Sequence, residues 1–149
     1  MNYDPDEALK LKNQLCFPLY AAARKVTGAY TPLLKPLGLT YTQYLVLLVL
    51  WEEDGQQVSA ICEKLFLDSG TLTPLLKKME AQGIVARERS ARDERCVIIS
   101  LTQKGRDLKA KAAMIPQKAG ACVGICPEDG AELYRLLYRI LGADTKPER

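Results

Sequence analysis

The hydrophobic positions of the chain predict long helices at both ends and a shorter mixed region between them. From Asp6 to about Leu34, apolar residues recur at helical spacing on two adjacent stripes. Pro18 removes the backbone hydrogen bond to the Gln14 carbonyl, so the helix is expected to kink or to restart there. The apolar face is wide and needs another surface to cover it, which a second subunit would provide.

Two helices are predicted before the stretch that carries the strongest helix signals. The sequence Thr40-Tyr-Thr-Gln43 matches a capping box, and the helix that it opens runs through Trp51 and stops by Gly55. This helix is apolar almost throughout, which predicts that it is buried. Ser59 is expected to cap a short second helix whose apolar residues are Ile61, Leu65 and Phe66.

The next helix is predicted over residues 67–80, with its apolar and polar side chains on different sides. Asp68 is a typical helix-starting residue, and Gly83 stands where a terminating glycine belongs. Pro74 is tolerated only near the start of a helix, where the N–H that it lacks has no intrahelical partner. The buried face is a stripe with the spacing i, i+3, i+4, i+7, namely Leu72, Leu75, Leu76 and Met79.

The other side of the helix predicted over residues 67–80 suits contacts to DNA. Short hydroxyls can reach base edges, and ammonium groups can reach phosphates. The residues with these side chains are Ser69, Thr71, Thr73, Lys77 and Lys78. Two helices joined by a tight turn that contains glycine predict a helix-turn-helix.

A hairpin with a charged tip is predicted next, followed by two more helices. Residues 84–89 and 95–101 have strand-like composition, and residues 90–94 are polar and turn-like. Thr102 is expected to cap a helix that Pro116 bends or ends, and residues 120–126 lack a clear period. The last helix begins at Pro127 and carries a regular apolar stripe, so we expect it to pack on the first helix or on that of a partner.

Length and charge narrow the class of protein. The chain has 149 residues, of which 48% are hydrophobic, and this predicts one globular domain. Its longest apolar run, Tyr44 to Trp51, is far shorter than the roughly 20 residues that span a bilayer, so we expect a soluble cytoplasmic protein without membrane contact. The net charge is +3, but residues 77–109 alone carry nine Lys or Arg and five Asp or Glu, so the positive excess is local.

The five cysteines do not form a pattern typical of secreted proteins or zinc sites. Their number is odd, they are widely spaced and the chain has no histidine, so we expect no metal and no cofactor. Cys62 and Cys96 are assigned to packing. Cys16 lies on an apolar helix face with Tyr30, about 21 Å away along one helix, so only an antiparallel crossing of two subunits would bring them together.

The order of elements and several motifs resemble the MarR family of bacterial transcription regulators. The resemblance covers nearly the whole chain. The motifs that are specific for the family are residues 67–80, followed by Gly83-Ile-Val85 and by Asp93-Glu-Arg95. The stretches 13–17 and 39–44 are similar to those of the organic-hydroperoxide-sensing repressors, the OhrR group. The resemblance implies a mainly α dimer with a small β-hairpin wing, in which residues of about 6–37 and 102–142 dimerise and residues of about 40–101 form the winged helix-turn-helix.

The same resemblance implies roles for individual residues. Cys16 would be the sensing thiol, in a peroxide pocket formed by Phe17, Tyr20, Tyr30 and Tyr41. Cys122 would resolve the oxidised sensor as a disulfide with the other subunit, as in the two-cysteine branch of the group, and Cys126 is the second choice because it directly precedes a helix start. In the wing, the residues implied to contact DNA are Arg87, Asp93 and Arg95, with Arg95 entering the minor groove.

Three functions follow from these features. The first is a homodimeric repressor that binds a palindromic operator when reduced and releases it when an organic hydroperoxide oxidises Cys16. The second is a repressor of the same architecture that a small aromatic ligand releases, with Cys16 in the pocket wall. The third is a thiol peroxidase, which the helix-turn-helix and the lack of a thioredoxin-type C-x-x-C motif disfavour, so we expect no enzyme.

Overall fold

The computed structural model describes residues 4–90, 93 and 96–142. The described chain is mainly helical and carries a small antiparallel sheet, which confirms the winged-helix fold class. Its helices are α1 (Pro5–Ala8), α2 (Cys16–Leu34), α3 (Tyr41–Glu52), α4 (Val58–Leu65), α5 (Ser69–Ala81), α6 (Gln103–Ala112), α7 (Ile115–Val123) and α8 (Pro127–Ile140). Its strands are β1 (Gln56–Gln57), β2 (Val85–Arg89) and β3 (Val97–Leu101).

The first long helix begins at Cys16, so the helical pattern predicted from Asp6 is interrupted before the thiol. Side-chain amides of the residues before it bond to carbonyls of α1 instead, with Asn13 Nδ2 donating to the Glu7 carbonyl at 2.6 Å. These bonds fold the residues before α2 back onto α1 as a separate short segment. Pro18 is the third residue of α2, in the first turn, where a missing N–H breaks no intrahelical bond. The prediction that the helix restarts near Pro18 is therefore confirmed.

Helix α3 is the centre of the hydrophobic core. The capping box at its start is present, since Thr40 Oγ1 accepts the Gln43 N–H at 3.3 Å and Gln43 Oε1 accepts the Thr40 N–H at 3.0 Å. Leu47 and Leu50 are fully buried, which confirms the prediction of a buried helix. Among the described residues no single helix is long and apolar enough to span a membrane. One bent pair, residues 16–37 with α3, has the length and composition of a membrane span, but on those two criteria alone.

Helix α4 differs from its prediction at both ends. It begins at Val58 after Gln57, without a side-chain cap, and Ser59 is its second residue rather than its cap. It ends at Leu65, and Phe66 lies beyond the helix with its ring exposed instead of on the apolar face. Ile61 is fully buried, as the pattern predicted.

Helix α5 starts and ends where the sequence predicted. Asp68 caps its first turn, and the left-handed Gly83 ends it, with the Ile84 N–H bonding to the Met79 carbonyl at 3.0 Å. The inference about Pro74 was wrong, because Pro74 is the sixth helical residue and an ordinary residue there would donate to the Gly70 carbonyl. Its neighbours on the helix nevertheless remain helical.

The predicted hairpin is confirmed, and a short third strand joins it. Strands β2 and β3 pair antiparallel, with Val85 opposite Leu101, and β1 pairs with the other edge of β3, with Gln56 opposite Ile99. Asp54, just before β1, accepts the Leu101 N–H at 2.8 Å. The prediction of a turn at residues 90–94 falls mostly on residues outside the described ones, since 91, 92 and 94, and also 95, are not described.

The stretch without a clear period, residues 120–126, is helical up to Val123 and non-helical from Gly124 to Cys126. Thr102 caps α6 as predicted, accepting the Gly105 N–H at 3.1 Å. Pro116 is the second residue of α7, so it starts this helix rather than bending α6. Helix α7 packs against α2 and ends at Gly124, whose φ is 72°. Helix α8 begins at Pro127 as predicted, but none of its residues is buried within this chain.

Candidate DNA interface and thiol site

The polar side of α5 is available for contact. Ser69, Thr71, Lys77 and Lys78 are exposed and Thr73 is half-buried, whereas the core takes up the opposite side of the helix. The hydroxyls lie near the N-terminus of α5 and the lysines one to two turns later. This is the distribution expected when the N-terminal end of a recognition helix points into the major groove.

Asp68 and Thr71 form a compact pair at the start of α5. Asp68 Oδ1 accepts the Thr71 N–H at 2.8 Å, and Thr71 Oγ1 donates to Asp68 Oδ2 at 2.8 Å. The hydrogen bond from the Thr71 hydroxyl is the main cause that lowers the pKa of Asp68 below its ordinary value. Because the proton of Thr71 is used in this bond, its hydroxyl oxygen remains available only as an acceptor.

The three wing residues differ in their surroundings. Arg87 forms an ion pair with Glu80 of α5 at 3.3 Å, and its side chain is only 20% exposed, so it braces the sheet against α5. Its Nε is buried and has no hydrogen-bond partner among the described residues. Asp93 is exposed, and its carbonyl accepts the Cys96 N–H at 2.9 Å. Arg95 lies outside the described residues, so its role stays a prediction.

Cys16 lies at the start of α2 on an apolar surface that its own chain leaves open. Every residue from 15 to 25 is exposed. These residues include four large apolar or aromatic side chains within four positions of Cys16: Leu15, Phe17, Leu19 and Tyr20. A surface of this kind on a folded protein indicates a contact with another molecule.

The two tyrosines implied as thiol partners lie together at the other end of α2. The ring centroids of Tyr30 and Tyr41 are 5.2 Å apart, and Tyr44 is 5.9 Å from Tyr30. Burial, and then the neighbouring Tyr30, raise the pKa of Tyr41 above its ordinary value of 10.0. Cys16 precedes Tyr30 by fourteen helical residues, which is about 21 Å, so one chain brings the tyrosines together but does not bring the thiol to them.

Arg24 is a neighbour of the thiol region that the sequence interpretation missed. Its guanidinium donates to the Tyr20 hydroxyl at 3.3 Å and lies 5.6 Å from the centre of the Tyr20 ring. The spacing of Cys16, Tyr20 and Arg24, four residues apart each time, could have indicated that they share one side of the helix.

The remaining cysteines are separated into exposed and packed ones. Cys122, in the last turn of α7, is exposed, and its thiol donates to the Lys118 carbonyl at 3.4 Å. Cys126 is also exposed and caps α8, with its sulfur accepting the Asp129 N–H at 3.4 Å. Cys62 is half-buried against the core. No cluster of possible metal ligands occurs in the part of the chain that the structure describes.

Helix α8 presents a second apolar surface. Among its residues, Leu133, Leu136 and Ile140 are exposed, and the rings of Tyr134 and Tyr138 lie 4.4 Å apart. An amphipathic helix without a buried residue requires a partner to cover its apolar side. Together with the start of α2, this surface supports assembly of two chains through the terminal helices.

Comparison with protein families and known proteins identifies the class. The family model "Transcriptional regulator SarA/Rot" matches residues 29–112. The chain is 52% identical over 136 residues to the organic hydroperoxide resistance transcriptional regulator of Bacillus subtilis, covering 89% of this chain and 90% of the relative. These relatives are transcriptional regulators and not enzymes, which argues against the peroxidase alternative.

Solved structures of relatives include DNA complexes and oxidised forms. AbfR of Staphylococcus epidermidis, in the reduced form bound to DNA, is 38% identical over 92% of this chain and 95% of its own, with a TM-score of 0.75. The disulfide form of AbfR is 40% identical over 91% of this chain and 96% of its own, with a TM-score of 0.63. A MarR-family regulator from Rhodococcus sp. RHA1 is 25% identical over 89% of this chain and 95% of its own, with a TM-score of 0.76. The chain therefore belongs to the MarR family of transcriptional regulators, in the organic hydroperoxide resistance group.

Proposed function

We propose that this protein is a homodimeric repressor that binds operator DNA while Cys16 is reduced and releases it when an organic hydroperoxide oxidises Cys16. The observation that carries the proposal is the separation of Cys16 from the Tyr30 and Tyr41 pair along one helix, combined with an open apolar surface around the thiol. An antiparallel partner would cover that surface and supply its own tyrosines to the thiol. The relative named for organic hydroperoxide resistance supports peroxide as the signal.

In this proposal the terminal helices form the dimer and the central region binds DNA. Residues of about 6–37 and 102–142 contain the uncovered apolar surfaces of α2 and α8. Residues of about 40–101 contain the helix-turn-helix and the wing, with α5 in the major groove and Asp93 and Arg95 at the wing. A regulator that acts on operator DNA would work in the cytoplasm.

The sensing reaction needs only the thiol and the peroxide. The Cys16 thiolate attacks the hydroxyl-bearing oxygen of the peroxide, an S–O bond forms as the O–O bond breaks, and the alkoxide leaves and takes a proton from water to become the alcohol. The product is a sulfenic acid. Tyr30 and Tyr41 of the partner would donate hydrogen bonds to the sulfur and favour its thiolate form. Phe17 and Tyr20 give the thiol an apolar setting that suits an alkyl peroxide.

The sulfenic acid would then be trapped by a second thiol. The Cys122 thiolate of the other subunit attacks the Cys16 sulfur, a disulfide forms, and the hydroxyl group leaves as water. A disulfide requires Cα atoms roughly 4.4–6.8 Å apart. Cys122 lies on α7, and α7 packs against α2 of its own chain. Drawing Cys122 to Cys16 of the other subunit would therefore shift the dimerisation helices. Such a shift would change the spacing of two α5 helices that must fit half-sites about 34–36 Å apart.

The deciding experiment is a gel-shift assay of operator binding before and after cumene hydroperoxide. Cys16→Ser keeps nearly the size of the side chain and loses the nucleophile, so it should bind DNA and stay bound after treatment. Cys62→Ser is the matched control, since Cys62 packs against the core, and it should release DNA as the wild type does. If Cys16→Ser still releases DNA on treatment, Cys16 is not the sensor.

Non-reducing electrophoresis identifies the resolving thiol. Peroxide-treated wild type should form a covalent dimer that is absent in Cys122→Ser and present in Cys126→Ser. A dimer lost only in Cys126→Ser would transfer the resolving role to Cys126, whose sulfur already caps α8. A sulfenic acid without any covalent dimer would place the protein in the one-cysteine branch.

A further inference from the structure

Phe66 has an unusual backbone conformation in the turn between α4 and α5. Its φ and ψ are 53° and 40°, and among the described residues no other residue except glycine has a positive φ. The Leu67 N–H donates to the Cys62 carbonyl at 2.9 Å and the Phe66 N–H to the Glu63 carbonyl at 3.3 Å, which is a Schellman turn. Glycine is the usual residue at this position, because a side chain is strained there.

Phe66 is not part of the buried core, so burial of its ring does not offset this strain. It is 53% exposed, whereas Leu65 and Leu67 on either side both pack against the core. Glycine would form the same turn without strain, and no buried core side chain would be removed. Strained residues of this kind occur mainly where they serve a function.

The position of Phe66 points to what the ring contacts. Phe66 lies in the turn before α5, two residues before the Asp68 cap. It is therefore next to the N-terminal end of α5, which carries Ser69 and Thr71. In a helix-turn-helix the N-terminal end of the second helix contacts base edges in the major groove and the first helix crosses the DNA backbone, so the turn that joins them lies near the DNA. The apolar groups available there are thymine methyl groups and deoxyribose rings.

We propose that the Phe66 ring contacts operator DNA through one of these apolar groups and thereby fixes the entry of α5 into the groove. The contact rests on the proposed docking of α5 on DNA and is independent of oxidation at Cys16. It also explains a phenylalanine where glycine would fold more easily. Removing the ring should therefore weaken DNA binding while the fold becomes no less stable.

The test compares Phe66→Gly, Phe66→Asn and Phe66→Tyr in the full-length protein. Glycine and asparagine tolerate the left-handed backbone and remove the ring, while tyrosine keeps it. The probe is the DNA duplex that the wild type selects from a randomised library. Phe66→Gly and Phe66→Asn should melt at or above the wild-type temperature and bind this duplex about five- to tenfold more weakly, and Phe66→Tyr should bind within about twofold.

Salt dependence separates this contact from a charge contact. The slope of log affinity against log salt should not change in Phe66→Gly, because the ring neutralises no phosphate. Lys78→Ala is the matched control, and its slope should fall. Failure of the wild type to select any duplex would refute the proposed DNA interface itself, whereas selection by the wild type with unchanged binding by Phe66→Gly would refute only the role of Phe66.

Two other outcomes would also overturn the inference. If Phe66→Gly melts well below the wild type, the ring stabilises the fold. If it dimerises less tightly, the ring belongs to a protein contact. Replacing each thymine of the duplex by uracil, one at a time, then identifies the DNA group. If one replacement weakens DNA binding by the wild type but not by Phe66→Gly, the ring contacts that thymine methyl. If no replacement has this effect, the ring contacts a deoxyribose.

Discussion

Gly105 is the point at which the third residue of α6 meets the chain that leads into the wing. A Cβ added there would lie 2.3 Å from the Ile84 carbonyl oxygen and 3.0 Å from Leu101 Cδ2. The same carbonyl accepts the Thr102 N–H at 3.1 Å, so it cannot turn away without breaking that bond. The Gly105 carbonyl also accepts the indole N–H of Trp51 at 3.0 Å. Gly105→Ala must therefore displace the backbone.

The size of the effect follows from this geometry. An ordinary carbon–oxygen contact is about 3.3 Å or longer, so α6 and the backbone at Ile84, just before β2, must separate by about 1 Å. Overpacking of this kind costs about 1–3 kcal/mol, and a rigid backbone neighbour favours the upper end. A weakened hydrogen bond to Trp51 or Thr102 adds about 1 kcal/mol, and the better helix propensity of alanine returns at most about 1 kcal/mol. We expect a net loss of about 3 kcal/mol.

Urea unfolding at one fixed protein concentration measures this loss. With a slope of about 2 kcal/mol per molar, the midpoint of Gly105→Ala should fall by about 1.5 M. Gly120→Ala is the control, because Gly120 also lies in a helix but nothing approaches its Cβ position within 4 Å. That variant should gain about 0.5–1 kcal/mol. If Gly105→Ala were within 0.5 kcal/mol of the wild type, the close contact between α6 and Ile84 would be refuted.

Three further outcomes are expected from the same structure. Thr40→Ala should lower the free energy of unfolding by about 0.5–2 kcal/mol, because it removes the acceptor for the Gln43 N–H, and urea unfolding measures this. Lys78→Ala should reduce the salt slope of operator binding by about 1 if the ammonium group holds a phosphate. The Asp68 cap should stabilise the protein above the ordinary pKa of an aspartate and lose its effect as pH falls through the lowered pKa, so unfolding of wild type and Asp68→Ala should converge only in strong acid.

Elements with local signals could be predicted from the sequence. The start and end of α5 depend on Asp68 and Gly83, and the start of α3 depends on Thr40 and Gln43, so a few adjacent residues determine each boundary. The stripe of α5 that includes Leu72 is buried as its spacing predicted. Each of these features requires no knowledge of distant parts of the chain.

Features that depend on distant contacts were missed or placed wrongly. Strand β1 has two residues and exists only because it pairs with β3 some forty residues later. The break before Cys16 depends on the amide of Asn13 bonding back to Glu7, which apolar spacing does not show. Ser59 has the composition of a cap, but α4 starts at Val58, two residues earlier than a Ser59 cap predicts. The ion pair between Arg87 and Glu80 also joins two separate elements and could not be predicted from local sequence.

The raised pKa of Tyr41 is relevant to the proposed sensor because of what the phenol must do. Burial and the adjacent Tyr30 disfavour the phenolate, so Tyr41 keeps its proton throughout the physiological pH range. A protonated phenol can donate to a thiolate, whereas a phenolate would repel it. The same chain leaves Cys16 exposed on an apolar surface at the far end of α2. If two chains cross antiparallel, each subunit therefore contributes the donor for the other's thiol, and in the proposed sensor thiol reactivity depends on dimerisation.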